Sequence, residues 1–171
     1  MCGGVYYTTQ NQDIRVYFPN PKALLPVKTR TGEITTLAWG RRREQAGMLP
    51  LGGWARLDSI YAGRWDRWFP VPVKIPVKSF MEKDLEGHSH WFDLTNGQWI
   101  QGLVARYQHE RRVYVVTIEP EMAEAVHDRW PRIMSGSNRK MVPGAGIEPA
   151  RCCHRGILSP LRLPISPPGQ D

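Results

Sequence analysis

Apolar and polar positions along the first two thirds of the chain follow the pattern of short β-strands. β-branched and aromatic residues are concentrated in short runs, and Gly, Pro, Asn or Asp interrupt the chain between them. Runs bounded in this way by turn-forming residues are typical of strands rather than helices. The runs that predict strands cover 5–8, 14–18, 34–39 and 112–118, and the last of these is the clearest core strand.

Two further segments carry more specific signals. The segment 71–77 alternates apolar residues but contains two prolines, and because proline lacks a backbone donor we expect an edge strand or an extended segment there. Asn96-Gly97 lies between the apolar runs 91–94 and 99–103. Both of these turn residues tolerate positive φ, which predicts a β-hairpin.

We expect an α+β fold, in the form of an antiparallel-rich β structure of short strands with few helices. A short helix is predicted from Glu121 to about His127. From about residue 135 onward Gly, Pro and Ser are frequent and no hydrophobic period is present, which predicts a disordered or irregular tail. The expected organisation is one domain over 1–135 and a non-domain tail over 136–171.

The tail resembles the conceptual translation of the antisense strand of a leucine-type tRNA gene. The stretch 146–150 is what the complement of the T-arm consensus would encode, and 162–169 resembles the complement of the D-arm and the 5′ end. The codons of 141–169 would test this resemblance. Cys152, Cys153 and His154 are not expected to bind a metal, because adjacent thiols lack the separated ligand pairs of zinc sites.

Charge and composition narrow the range of partners. The chain has 171 residues and a formal net charge of +7, and residues 1–135 contain 18 basic and 14 acidic side chains. This mild excess is compatible with nucleic acid as a partner. No apolar run approaches the ~20 residues of a membrane span, and no signal-peptide pattern is present. We therefore expect a cytoplasmic protein with no membrane partner, and three cysteines predict no disulfide framework.

Cys2 directly follows the initiator methionine, and methionine is removed before small residues, so we expect Cys2 to begin the mature protein. A terminal cysteine carries an α-amine with a pKa of about 8 and a thiol with a pKa of about 8.5. The amine is partly neutral and the thiol partly thiolate at pH 7, so an aldehyde would form an imine and then a thiazolidine without a metal or cofactor. Taken alone, the position of this cysteine could also carry no function.

Five short stretches, in this order, together resemble the SOS-response-associated peptidase family, the abasic-site processing proteins. They are Met1-Cys2-Gly3, Ala38-Trp39-Gly40, Ala55-Arg56-Leu57-Asp58-Ser59, Phe80-Met81-Glu82 and Val126-His127-Asp128-Arg129-Trp130-Pro131. The resemblance implies covalent capture of abasic sites in single-stranded DNA during the DNA damage response. It also implies AP-lyase activity through the imine, and a self-processing step that would here remove only Met1.

The resemblance assigns catalytic roles to Cys2, Glu82 and His127, with the carboxylate and the imidazole moving protons. It assigns Arg56 to a backbone phosphate, for which a planar fork of donors is well suited, and Arg129 likewise to DNA. Judged alone, Glu82 could be a surface charge and His127 could interact with a helix C-terminus.

The chain departs from the family pattern at three of these positions. Trp54 stands where the family has an Asn that helps to hold the sugar and the N-terminus, Asp58 replaces a Glu, and Lys83 replaces a Trp. Altered capture and loss of activity are both compatible with these departures.

Cations alternate with aromatic residues in the segment after the first strands, which is the usual composition of single-stranded nucleic-acid sites. The alternative is that the tryptophans pack a small core while the arginines surround it. The DNA-binding candidates from this segment are Trp39, Arg41, Arg42, Arg43, Trp54 and Arg56. His88 and His90 lack a third ligand nearby and more simply predict a polar turn, so we expect no metal site.

Three functions remain open from the sequence. The first is abasic-site capture by a monomer that needs no cofactor. The second is a non-catalytic single-stranded nucleic-acid-binding module. The third is an N-terminal-nucleophile amidohydrolase, which also uses a terminal Cys but does not share the His127-Asp128-Arg129 segment.

Overall fold

The computed structural model describes residues 2–120 and 128–136, and these residues form a mostly β structure. In chain order the elements are β1 (Gly4–Thr9), β2 (Gln12–Tyr17), β3 (Leu24–Lys28), β4 (Ile34–Ala38), β5 (Trp54–Arg56), helix α1 (Leu57–Tyr61), a 3-10 turn (Asp66–Trp68), β6 (Val71–Ile75), β7 (Ser79–Lys83), β8 (Ser89–Asp93), β9 (Gln98–Tyr107), β10 (Glu110–Ile118), β11 (Trp130–Pro131) and β12 (Ile133–Ser135).

The strands form two sheets. The first sheet has four strands in the order β2-β1-β7-β8. The second runs β11-β10-β9-β6-β3-β4, with β12 beside β9 and β5 beside β10. The ladder between β5 and β10 is parallel, and the other ladders between these strands are antiparallel.

Strands β9 and β10 are buried on both faces because they separate two hydrophobic cores. One core joins residues of both sheets, among them Val5, Phe80 and Val115. The other packs Tyr114 and Leu103 against α1 and the 3-10 turn. Successive side chains of a strand point to opposite faces, so an unbroken apolar run such as 113–116 can serve both cores.

The predicted strands over 5–8, 14–18, 34–39 and 112–118 are confirmed, each within a residue of its observed end or inside a longer strand. The α+β class is corrected to mostly β, since among the described residues helical structure amounts to α1 and the 3-10 turn. The predicted helix over 121–127 and the tail from 137 onward lie outside the residues that the structure describes.

The predicted hairpin at Asn96-Gly97 is wrong. Gly97 does have positive φ, at 82°, but the strands on either side belong to different sheets. The backbone N–H of Leu94 donates to Lys78 O at 2.8 Å, which keeps the chain beside the first sheet until the turn. The turn therefore passes the chain from one sheet to the other.

The segment 71–77 is not an edge strand, because β6 lies between β9 and β3. Its ladder with β3 consists of the single pair Lys28 and Lys74, whereas five pairs join it to β9. Pro72 pairs with Leu103 on the β9 side and has no β3 partner, so an interior position tolerates its missing donor.

Candidate functional site

Cys2 is fully buried at the start of the first sheet. The N–H of the next residue, Gly3, donates to Met81 O on β7 at 2.8 Å, and Gly3 O accepts the N–H of Phe18 at 3.0 Å. The Cys2 thiol donates to Gly4 O at 3.5 Å. The backbone beside Cys2 is thus fixed by bonds on both sides, which holds the residue close to β7.

Trp54 supplies a further anchor for this segment. Its indole Nε1–H donates to the Cys2 carbonyl oxygen at 2.8 Å. The ring is half-buried and packs against Phe18 at 4.5 Å between centroids, with Trp39 at 6.5 Å. Trp54 therefore holds the N-terminal segment through its indole N–H.

Glu82 is also fully buried, one residue after the Met81 carbonyl that binds Gly3. Side chains on β7 alternate, so Glu82 shares a face with Phe80, which packs on Phe92 and Trp130. On this face of β7, Glu82 is therefore next to a cluster of aromatic rings. Burial of a carboxylate is costly unless the group is paired or hydrogen-bonded.

The thiol and the carboxylate are electrostatically coupled. Burial raises the pKa of the Cys2 thiol well above its ordinary value, and the negative charge of Glu82 raises that pKa further. The expectation of a partly ionised thiol at pH 7 is therefore corrected: the resting thiol keeps its proton.

His90 is the cross-strand partner of Glu82 in the ladder between β7 and β8. Directly opposed residues lie on the same face of a sheet, with Cβ atoms about 5 Å apart. The His90 Nε2 lies 2.8 Å from Asp84 Oδ2, and Asp84 also accepts backbone N–H groups from Glu86 and His88. The sequence predicted a polar turn here, and the structure contains one, with an imidazole fixed on the face that carries Glu82.

A cleft of about 480 Å³ lies at the C-terminal end of β5, beyond Trp54 along the strand. Its lining includes Arg56, Asp58, Thr117, Asp128 and Arg129. Arg56 is two residues after Trp54 on β5, so the two share a face about 7 Å apart. The cleft therefore brings together Arg56, which the resemblance assigns to phosphate, and Arg129, another DNA-binding candidate, close to the residue that anchors Cys2.

Arg56 forms a two-point ion pair inside this cleft. Its Nη2 and Nε donate to Asp58 Oδ2 at 2.5 Å and to Oδ1 at 3.0 Å. The hydrogen bond from Arg56 lowers the pKa of Asp58 to about 2, and the same pair raises the pKa of Arg56. Both side chains are exposed, so the pair can open at small cost.

Thr117 adds a polar group to the cleft wall. The residue is 2% exposed, and its Oγ1 has no hydrogen-bond partner in the described part of the chain. A buried hydroxyl without a partner is costly.

The arginine-rich segment after β4 contributes less to a DNA surface than its composition indicated. Trp39 is fully buried, with its Nε1–H donating to Gly53 O at 3.0 Å. Arg42 is 7% exposed, and its guanidinium donates to the carbonyls of Trp39 and Phe18. These two side chains hold the fold together and are not surface groups available to DNA.

The other two arginines of this run differ from each other. Arg41 binds the carbonyls of Leu49 at 2.6 Å and Gln45 at 3.0 Å, which closes the loop 41–52 on itself. Arg43 is exposed and remains available for a phosphate.

His127, the third member of the predicted triad, lies outside the described residues. The other two members, Cys2 and Glu82, are both buried and are electrostatically coupled.

The outer face of the first sheet carries an aromatic and cationic cluster that sequence reasoning missed. Arg15 lies over the rings of Tyr6 and Trp91 at 5.6 and 5.7 Å, and Tyr17 contacts Trp91 edge to face at 6.2 Å. Gly4 leaves room for this packing, because a Cβ there would lie 3.0 Å from the Tyr17 ring. The sequence signal that could have found this cluster is the alternation of residues along β1 and β2. Residues between the core positions point to the outer face, and these rings occupy such positions.

No group of three or more His, Cys, Asp or Glu side chains within 2–120 and 128–136 is arranged to hold a metal ion. In the same residues no helix is long and apolar enough to cross a membrane.

Comparison of the chain with protein-family models, curated proteins and solved structures found no match.

Proposed function

We propose that this protein captures abasic sites in single-stranded DNA as a covalent thiazolidine on Cys2, once Met1 has been removed. The observation that carries the proposal is the burial of Cys2 beside the buried carboxylate of Glu82, with the Cys2 backbone fixed by Trp54. A preorganised nucleophile next to a proton-transfer group is what aldehyde capture requires.

Because the thiol is protonated at rest, the amine reacts with the aldehyde before the sulfur does. The α-amine of Cys2 adds first to the aldehyde carbon of the ring-opened sugar, and the resulting hydroxyl leaves as water after it is protonated. The sulfur then adds to the imine carbon, and its proton passes to a neighbouring base while the nitrogen gains one. One aldehyde and one aminothiol thus give one thiazolidine and one water.

Glu82 is the group suited to both proton transfers. The Glu82 carboxylate carries the protons that the Cys2 amine releases to the departing oxygen, which leaves as water, and it then takes the proton of the Cys2 thiol and passes it to the nitrogen. The electrostatic coupling between the two groups supports this assignment. The resemblance adds His127 as a second proton-transfer group. Strand incision is a further activity of the same imine, since an iminium ion promotes loss of the phosphate beyond it.

The cleft beside β5 is the proposed phosphate site. Arg56 would exchange Asp58 for a DNA phosphate, with Arg129 on the same cleft and Thr117 supplying its unused hydroxyl. A guanidinium group can donate two parallel hydrogen bonds to two oxygens of one phosphate. Such contacts attract the DNA backbone and also fix the position of the attached sugar.

The test is a denaturing gel with a single-stranded oligonucleotide that carries one abasic site, after intact mass has verified the loss of Met1. We expect a heat-resistant shifted band with the wild-type protein and none with Cys2→Ala. Glu82→Gln should slow the appearance of the band about 100-fold or more, the usual scale for losing a general acid–base group. Exposed Glu33→Gln is the matched control and should leave the rate unchanged. An unshifted band with folded, correctly processed wild-type protein would overturn the proposal.

A non-catalytic module for single-stranded nucleic acid is the second candidate, favoured by the outer face of the first sheet. Trp91 and Tyr17 are 39% and 43% exposed and lie among Arg15 and Lys78, which suits base stacking with phosphate contacts. Binding under native conditions that survives Cys2→Ala, weakens with salt and is lost in Trp91→Ala would favour this candidate over capture.

A further inference from the structure

A second cleft, of about 300 Å³, opens on the inner face of the second sheet. Its floor consists of valines from three strands, Val27, Val71, Val73 and Val104. Three of them belong to the core shared by the sheets, so the cleft continues that core toward solvent. None of its lining residues lines the cleft of Arg56, and Cys2 and Glu82 are absent from it.

Two arginines stand at the edge of this floor. Arg106 on β9 and Arg111 on β10 are directly opposite each other in the antiparallel ladder, and both line the cleft. Like charges in that relation destabilise a sheet. Among the residues that the structure describes, neither guanidinium takes part in a hydrogen bond or an ion pair. Two adjacent, exposed positive charges thus stand beside an apolar surface without an acidic partner in the described part of the chain.

Phe69 completes the cleft on the side of the 3-10 turn. The residue is 59% exposed, and the Arg106 guanidinium lies 5.4 Å from the ring centroid. The residue adopts φ 48° and ψ 60°, a left-handed conformation that is unfavourable for a bulky side chain. A conformation that holds an aromatic ring in solvent next to an arginine is more typical of ligand contact than of core packing.

We infer that this cleft binds a small aromatic anion of about mononucleotide size. The ring of the ligand lies on the valine floor against Phe69, and its phosphate, carboxylate or sulfonate group lies between Arg106 and Arg111. The volume falls at the lower end of small-molecule sites, and paired guanidinium groups offer several donors to such an anion. The inference does not depend on the chemistry at Cys2.

Fluorescence titration with anilinonaphthalene sulfonate tests this, with phenylnaphthylamine as the probe that lacks the anionic group. The wild-type protein should bind the sulfonate probe more tightly than the neutral probe. The double variant Arg106→Gln/Arg111→Gln should bind the sulfonate about tenfold or more weakly, since charge-assisted hydrogen bonds contribute on that scale. Its affinity for the neutral probe should stay the same, which also verifies that the apolar floor is intact.

Arg67→Gln is the matched control, because Arg67 also lies over an aromatic ring, that of Trp68, but does not line the cleft. The inference fails if the double variant binds the sulfonate probe as tightly as wild type, or if Arg67→Gln weakens it equally. Displacement by thymidine monophosphate or by naphthoate supports it and distinguishes a phosphate from a carboxylate ligand. Failure of both to displace the probe overturns it.

Discussion

At the scale of single residues, Trp54 has the largest effect on how the candidate site is built. Its indole N–H binds the Cys2 carbonyl, and its ring packs on Phe18. The indole therefore combines a donor toward the N-terminal segment with an aromatic ring that fills space beside Phe18.

Replacing Trp54 with Phe should separate the donor from the ring. We expect the free energy of unfolding to fall by about 1–2 kcal/mol, since the buried Cys2 carbonyl loses its partner. Abasic-site trapping should slow because Cys2 is held less firmly. Denaturant unfolding and the gel assay measure the two effects. Trp68→Phe, which changes a half-buried tryptophan of the other core, should leave trapping unchanged; an equal slowing there would argue against the anchoring role.

At the scale of elements, the turn between β7 and β8 is organised by one carboxylate. Asp84 accepts N–H groups from Glu86 at 3.0 Å and His88 at 2.8 Å, and it lies 2.8 Å from His90 Nε2. The bond to His90 and the backbone donors lower the pKa of Asp84 to about 2. This turn connects the strand of Glu82 to its cross-strand partner, so its order bears on the site.

The pKa of Asp84 gives a pH prediction. Because the folded value is lower than the ordinary value of about 3.9, Asp84 stabilises the fold above that pH, and the contribution is lost as pH falls toward 2. Asp84→Asn should therefore lower stability at pH 7 and reduce the loss between pH 4 and 2. Denaturant unfolding of both proteins across pH 2–7 measures this. Exposed Asp93→Asn on β8 should keep the wild-type slope, and a parallel change there would contradict the assignment.

Strand positions could be predicted from the sequence because alternation and turn residues act locally, as β1, β2, β4 and β10 illustrate. Strand partners could not. Asn96-Gly97 makes a turn but not a hairpin, whereas Gln10-Asn11, with φ of 46° and 61°, and Gln108-His109 are two-residue hairpin turns. Which strands pair depends on burial in the whole sheet, and a dipeptide contains little of that information.

The candidate site divides in the same way. Short motifs named Cys2, Glu82 and Arg56 as candidates, and in the structure the charge of Glu82 acts on the Cys2 thiol. Composition alone proposed Trp39 and Arg42 as DNA contacts, but their side chains bond to backbone carbonyls inside the fold. An arginine in a list of cations cannot be distinguished from one that satisfies buried carbonyl groups until the chain is folded.

At the scale of the whole molecule, β9 and β10 belong to both hydrophobic cores. Ile100 and Leu103, both on β9, are 0% and 1% exposed and lie in different cores. Damage to either core therefore strains a strand that the other core also needs, and the described residues should unfold as one unit.

Ile100→Ala and Leu103→Ala form a matched pair for this expectation. Each should lower the free energy of unfolding by about 2–5 kcal/mol, the usual cost of a large-to-small change in a core. In both variants, tryptophan fluorescence and far-ultraviolet circular dichroism should follow a single coincident transition. Two separated transitions in either variant would mean that the cores unfold independently.

The position of these two strands along the chain also determines when the protein can fold during its synthesis. Strand β1 needs β7, and both cores need β9 and β10, so neither can close before residue 118 has left the ribosome. Until then the apolar faces of eight earlier strands remain uncovered on the nascent chain. Late closure of long-range pairs is slow and exposes strand edges. Recovery of folded protein from a cell should consequently depend on chaperones and on the rate of translation.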